Sequence, residues 1–167
     1  MEAVEIKLYV GTYGKYNNGS IEGAWMTLND YSDKNEFLEA CKELHSDEED
    51  PEFMYQDHEG MPSSWYDESG VDERLWDLFD LPEHEQKAVM VYQASTGYDL
   101  EQCLDNADNI RYFEDGEQES TFADLHFDAA EAADNYSYLK VDYDQWLRDN
   151  YTEVEYEGDI YYVETNC

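Results

Sequence analysis

The sequence is short of positive charge above all. Its 167 residues include only 9 lysines and arginines against 43 aspartates and glutamates, so the formal net charge is -34 at pH 7. A protein that binds nucleic acid needs cations to replace the counterions on phosphates, and docking on an anionic membrane needs them as well. The missing cations therefore argue against nucleic acid and membranes as partners.

Cysteine and long apolar runs are also scarce. Cys41, Cys103 and Cys167 are widely spaced and form no CxxC pair, which argues against a disulfide framework and a zinc site. The longest apolar run covers residues 88–92, far short of the roughly 20 residues that span a bilayer. The N-terminus shows no signal peptide pattern. We therefore expect a cytoplasmic protein in a reducing compartment.

Aliphatic side chains are few, but aromatic side chains are not. The chain carries 16 tyrosines, 4 tryptophans and 6 phenylalanines. Each aromatic ring can bury roughly 150–250 Å² of surface, so the rings can supply the apolar area that the aliphatic residues do not. Disordered acidic tails are poor in aromatic residues. The chain is therefore expected to fold around small, tyrosine-rich cores.

Hydrophobic periodicity and turn residues predict an α+β protein with small antiparallel sheets. Strands are predicted over 4–10, 20–28, 52–57 and 109–114, and a terminal hairpin over 152–156 and 160–164. Helices are predicted over 33–45 (with Ser32 as N-cap), 70–80, 83–95, 99–107, 120–135 and 143–149. We divide the chain into a ββαβ subdomain at 1–62, a helical subdomain at 63–108 and an α+β subdomain at 109–167.

Four of the predicted helices carry acidic residues at helical spacing, opposite their apolar faces. Like charges three or four residues apart on a helix cost roughly 0.2–0.5 kcal/mol per pair, and interleaved lysines that would recover this energy are nearly absent. The stripes are therefore candidates for a functional surface. They comprise Glu36, Glu39 and Glu43; Glu73, Asp77 and Asp80; Glu101, Asp105 and Asp108; and Asp124, Asp128 and Glu131.

Two further acidic segments complete the candidate set. The first is Asp47, Glu48, Glu49 and Asp50, and the second is Glu114, Asp115, Glu117 and Glu119. Residues 1–56, 57–111 and 112–167 carry net charges of -9, -11 and -14, so no single tail holds the charge. Duplex DNA carries one charge per about 1.7 Å of its axis, so this net charge matches roughly 58 Å of duplex. We call these twenty side chains the candidate carboxylates and interpret them as mimics of DNA phosphates.

Sequence motifs of catalysis and metal binding are absent. There is no GxGxxG, Walker A or HExxH motif, no EF-hand loop and no nucleophile motif. The run at residues 47–50 is more typical of a solvated loop than of a calcium site. We therefore expect no enzymatic activity, no catalytic residues, no cofactor and no metal.

Four segments resemble the ArdA-type antirestriction proteins. Residues 8–25 resemble the N-terminus of that family, with its Y-N-x-G loop and its G-x-W on the second strand. Residues 55–60 resemble its x-D-x-E-G segment, residues 99–125 are similar to its antirestriction motif, and residues 138–148 to its closing segment. The four segments follow the order of the family over most of the chain.

The resemblance implies an elongated, three-part α/β protein that is usually a homodimer. It implies that the partner is a type I restriction–modification enzyme, bound at the DNA groove of its methyltransferase core and specificity subunit. Such proteins are carried by mobile genetic elements. The resemblance thus names the target, whereas the charge pattern by itself leads to DNA mimicry.

Two other interpretations of the charge remain open at this stage. One is a halophile-type protein that is acidic for solubility in brine, which would unfold in dilute buffer and recover in molar salt. The other is an acidic histone- or cation-binding chaperone. Chaperones of that kind usually concentrate their acidic residues in tails, whereas here the acids are spread along the chain.

Overall fold

A computed structural model describes residues 3–136 and 139–165, and it confirms the α+β fold. It is 47% helical and 20% strand, with two small antiparallel three-stranded sheets. The chain forms two compact units. The first unit contains the chain up to Gln86 and residues Asp99–Leu104, and the second contains Lys87–Tyr98 and the chain from Asp105 onward. The division into three subdomains at residues 62 and 108 stays a prediction.

The first unit is built on the sheet β2-β1-β3, in which all pairs are antiparallel. Short 3₁₀ turns cover Leu28–Asp30 and Ser63–Trp65. The α4 helix continues into the second unit. The elements are β1 (Lys7–Thr12), α1 (Tyr13–Asn17), β2 (Ala24–Thr27), α2 (Lys34–Leu44), β3 (Phe53–Glu59), α3 (Leu75–Asp80), α4 (Glu83–Thr96) and α5 (Leu100–Asp105).

The second unit is built on the sheet β4-β6-β5, again antiparallel. Its last two strands form the predicted hairpin, which turns at Glu157 and Gly158, both with positive φ. The elements are a 3₁₀ turn (Ala107–Asn109), β4 (Tyr112–Glu114), α6 (Gln118–Leu125), α7 (Phe127–Asn135), α8 (Tyr143–Asn150), β5 (Tyr151–Tyr156) and β6 (Asp159–Glu164). In the part of the chain that the structure describes, no helix is long and apolar enough to cross a membrane.

Aromatic rings join helices to the sheet in both units, but aliphatic residues make up most of the described core. The expectation of tyrosine-rich cores is wrong, since only Tyr55, Tyr92 and Tyr161 are buried among the described tyrosines. In the first unit the fully buried Phe37 contacts Tyr31, Tyr55 and Trp76, with ring centroids 5.6, 6.3 and 6.1 Å apart. The geometries are edge-to-face, stacked and tilted, which suit the quadrupoles of the rings. Phe37 thereby joins α2 to β3 and α3.

The second unit is organised around Trp146 of α8. Its ring stacks on Phe113 of β4 at 5.9 Å and meets Phe122 of α6 edge-on at 5.2 Å. Tyr151 packs against both Phe113 and Trp146, at 5.0 and 5.1 Å. A few large rings thus hold two helices against the sheet.

Several predicted element boundaries are wrong for local reasons. The helix predicted over 70–80 begins only at Leu75, because the Asp72 side chain accepts a hydrogen bond from the Arg74 amide and forms a turn there. The helix predicted over 120–135 is two helices, separated by His126 at φ -133° and ψ 56°. The α2 helix is capped by Asp33, and Ser32 instead donates to the Glu36 carboxylate.

Two glycines of the family-like segments lie where a side chain would collide with the backbone. A Cβ at Gly23 would lie 2.2 Å from the Val10 carbonyl oxygen, because β2 approaches β1 there. A Cβ at Gly60, which has φ +86°, would lie 1.9 Å from the Glu5 carbonyl oxygen. Both positions therefore require glycine, because only a residue without a side chain lets the backbone segments approach each other this closely at the first sheet.

We expect Gly23→Ala and Gly60→Ala each to lower the free energy of unfolding by about 2–4 kcal/mol, since the blocking atoms belong to the backbone. Urea denaturation followed by circular dichroism measures this. Gly70→Ala is the matched control, because its nearest atom is a side-chain oxygen of Asp67 at 3.9 Å and its φ is not positive. Equal losses in all three variants would contradict the steric argument.

A half-buried lysine, Lys15, anchors the start of the acidic run at residues 47–50. The Lys15 ammonium donates to Nδ1 of His45 at 2.7 Å and to Asp47 at 2.9 Å, and lies 3.8 Å from Glu48. His45 is buried, and its Nε2–H donates to the carbonyl of Val10 at 3.0 Å. The hydrogen bond to Asp47 raises the pKa of Lys15, and the same bond lowers the pKa of Asp47.

We expect Lys15→Met to lower the free energy of unfolding by about 1–3 kcal/mol, because it leaves a buried imidazole nitrogen without its donor. Lys42→Met is the matched control, since Lys42 is exposed and bonds only to the exposed Glu39 among the contacts described. Its effect should stay below about 1 kcal/mol. Urea titrations of both variants make the comparison, and similar midpoints would refute the anchoring role.

Candidate carboxylate surface

The aspartates and glutamates stay in contact with water throughout the described part of the chain. None of them is buried, and among the candidate carboxylates only Glu48 and Glu114 are half-buried while the others are exposed. Burial of an ionised carboxylate without a partner costs many kcal/mol, so folding places these groups outside. The result is a surface of one sign with few cations on it.

The α2 helix carries the predicted stripe intact. Glu36, Glu39 and Glu43 are exposed, whereas Phe37 and Cys41 on the opposite face are buried. The Asp33 side chain caps this helix by accepting from the Glu36 amide at 2.8 Å. A single regular helix thus presents three carboxylates to solvent at i, i+3 and i+7.

One member of the stripe also has a structural role. The hydroxyl and the amide of Ser32 both donate to the Glu36 carboxylate, and these hydrogen bonds lower its pKa. Glu39 pairs with Lys42 at 3.1 Å. Both arrangements leave the carboxylates exposed, so they stay accessible to a partner.

The other three stripes do not lie on continuous helices, and this corrects the predicted register. Glu73 precedes α3 and lies in a turn, while Asp77 and Asp80 are on the helix. Asp108 lies in a 3₁₀ turn after α5. Asp124 belongs to α6, whereas Asp128 and Glu131 belong to α7. The exposure of these groups holds, but their 3.6-residue alignment does not.

The acidic segment at residues 114–119 runs from the end of β4 through a tight turn at residues 115–116 into the start of α6. Gly116 adopts φ +104° there, and the Asp115 amide donates to the carbonyl of Ile160 in β6. The Gln118 side chain donates to the Asp115 carboxylate at 2.6 Å. Burial first, and then the nearby Tyr161, Glu117 and Glu114, raise the pKa of Tyr112 to about 12.

Sequence reasoning missed exposed carboxylates that lie on strands. Asp57 and Glu59 are two residues apart on β3, and Glu153 and Glu155 are two residues apart on β5. All four are exposed. Side chains two residues apart share a face of a strand. A search at period two, in addition to the helical period, would have found them.

Two other groups could in principle carry chemistry, the cysteine thiols and a cluster of metal-ligand side chains. Burial raises the pKa of the Cys41 and Cys103 thiols to about 12, so neither is a thiolate nucleophile at neutral pH. Ligand atoms of His45, Asp47 and Glu48 lie within 4.8 Å of one another, in the manner of a metal site. Lys15 already places its ammonium at this cluster, which weakens the case for a metal ion.

Comparison with known proteins identifies the family. The profile of the antirestriction protein (ArdA) family matches residues 8–166. No curated protein and no solved structure matches the chain. All four family-like segments fall within the match, although Tyr138 of the closing segment lies outside the residues that the structure describes. The chain belongs to the ArdA family of antirestriction proteins.

Proposed function

We propose that this antirestriction protein works as a DNA mimic. In this proposal it binds type I restriction–modification enzymes at the DNA groove of their methyltransferase core and specificity subunit, and thereby excludes DNA. It acts as an inhibitor by binding, without catalysis or cofactor. The binding form is a homodimer, joined through the C-terminal residues 109–167, in the bacterial cytoplasm. The candidate carboxylates are the groups that replace phosphates.

The exposure of the carboxylates is the observation that carries this proposal. A net charge of -34 lies on a surface from which no described carboxylate is withdrawn into the core. Several of the few cations pair with neighbouring carboxylates, such as Lys7 with Glu5 at 3.2 Å and Arg74 with Asp77 at 3.3 Å. Most of the carboxylates therefore face solvent, as the phosphates of duplex DNA do.

The mechanism needs neither base edges nor a fixed helical register. A DNA-binding groove lined with lysine and arginine is held to DNA mainly by phosphate contacts and counterion release. Exposed carboxylates offer the same cations a competing set of anions, and a strong negative field speeds the encounter. The broken register of three stripes is compatible with this, because the contact is electrostatic and not sequence-reading.

We expect inhibition to fall steeply with salt and duplex DNA to compete for the same site. Counterion release makes the logarithm of the binding constant fall linearly with the logarithm of salt concentration. Binding of the protein to a purified type I methyltransferase, measured by fluorescence anisotropy from low to moderate salt with and without unlabelled duplex, tests this.

Circular dichroism over the same salt range is the control, since a halophile-type protein would unfold in dilute buffer. Binding that a large excess of duplex DNA leaves unchanged would exclude a shared site. A separate assay plates unmodified phage on restricting hosts with and without the unaltered protein. Equal plating in both cases would argue against inhibition of restriction itself.

We expect neutralisation of one part of the surface to weaken inhibition only in part. Glu39→Gln with Glu43→Gln on α2 and Asp128→Asn with Glu131→Gln on α7 each remove two exposed charges. Each pair should weaken binding about twofold to thirtyfold, as exposed ion pairs do. The same anisotropy assay measures both pairs.

These two variants serve as controls for each other, because they remove equal charge from different helices. A distributed electrostatic surface predicts losses of similar size. Complete loss from one pair, with the circular dichroism spectrum unchanged and the other pair silent, would show a local hot spot instead.

A further inference from the structure

A pocket of about 440 Å³ opens in the second unit between α8 and the β5–β6 hairpin. Its size lies within the ~300–1,000 Å³ range that is usual for ligand sites. The pocket combines two carboxylates, two aromatic rings, one aliphatic side chain and one guanidinium. Its lining residues are Asp144, Leu147, Arg148, Tyr151, Glu153 and Tyr162.

The fold brings these residues together in a simple way. Asp144, Leu147 and Arg148 are at i, i+3 and i+4 of α8 and so share a face of that helix. Tyr151 and Glu153 are two residues apart on β5 and so share a face of that strand, and Tyr162 pairs with Glu153 across the hairpin. The site therefore rests on regular elements and not on a loop.

The aromatic walls are held by packing behind them. Tyr151 contacts both Phe113 and Trp146, with centroids 5.0 and 5.1 Å apart, and Tyr162 contacts Phe113 at 5.3 Å. Burial first, and then Asp115 and Glu153, raise the pKa of the Tyr162 hydroxyl. The raised pKa keeps the Tyr162 hydroxyl neutral at physiological pH, and the ring contacts fix the positions of both rings.

The lining of the pocket carries a net negative charge, which favours a cationic ligand. Asp144 and Glu153 bring two exposed carboxylates, against the single guanidinium of Arg148, which donates to Gln145 at 3.0 Å. Aromatic faces attract cations, and a planar guanidinium both stacks on rings and bonds carboxylates with two parallel hydrogen bonds. Arginine matches this combination better than lysine does, because an ammonium cannot stack.

We propose that this pocket lies in a part of residues 109–167 that the homodimer leaves open, and that it is an anchor for an arginine side chain of a protein partner. The ring faces of Tyr151 and Tyr162 cover the guanidinium, and Asp144 and Glu153 accept its hydrogen bonds. The assignment of that arginine to the DNA-binding surface of a restriction enzyme rests on the function proposed above. The pocket adds a discrete contact to a surface that is otherwise diffuse.

The direct test is a titration of the full chain with N-acetyl-arginine amide, followed by ¹H–¹⁵N NMR. N-acetyl-citrulline amide is the matched neutral ligand. We expect the arginine compound to shift the amide signals of the residues around the pocket and the citrulline compound to bind more weakly. Shifts scattered over all acidic segments, or equal binding of the two compounds, would overturn the proposal.

Matched variants sharpen this test. Glu153→Gln and Asp144→Asn should each weaken binding of the arginine compound about three- to tenfold. Glu155→Gln removes the same charge from the same strand outside the pocket and should change binding less than about twofold. Equal effects of Glu153→Gln and Glu155→Gln would show that the arginine compound is attracted by the overall negative charge and not bound by the pocket.

The enzyme assay separates the two proposals. If Glu153→Gln weakens binding to the methyltransferase more than Glu155→Gln does, the arginine belongs to that enzyme. If the two variants bind it equally while inhibition by the unaltered protein stays salt-dependent, the pocket is not used there and DNA mimicry stands. Failure of the unaltered protein to compete with DNA would refute the mimicry and leave the ligand titration unaffected.

Discussion

The cost of removing a carboxylate from water governs this structure. With 43 acidic residues in 167, the chain cannot bury more than a few of them without partners, and the cations that would act as partners are missing. No acidic side chain in the described ranges is buried. The core must therefore form from the residues that remain, which are mainly aliphatic side chains together with rings such as Phe37 and Tyr161.

Clusters of aromatic rings support the core in both units. Phe37 in the first unit and Trp146 in the second each contact several other rings, and these contacts join helices to the sheet of each unit. Large rings bury much area per residue, which leaves the rest of the chain available for charge. The few cations are used where they matter most, as at Lys15, whose ammonium links a buried histidine to the acidic run.

The same constraint connects fold and function. Like charges on one surface destabilise the folded state, and the chain carries this repulsion with few lysines or arginines to offset it. The family places the protein in antirestriction, and under the proposed function the outward-facing negative surface is what a DNA-binding groove would bind. A pocket with aromatic walls in the second unit adds shape to a surface that otherwise offers only charge.

Composition and local pattern determined the α+β class, the terminal hairpin and the exposure of the carboxylates, because each depends on the burial and turn preferences of single residues. The family was also readable from short segments, and the clashes at Gly23 and Gly60 explain two of their glycines. Hydrophobic periodicity did not determine where the helices begin and end, because local side-chain hydrogen bonds and tertiary packing decide this. His126 packs its ring against Phe122 and Trp146, and it lies where the predicted 120–135 helix divides into α6 and α7. Only the structure brought α8 against the predicted hairpin to form the pocket, since the approach of Asp144 to Tyr162 depends on tertiary packing that no local pattern encodes.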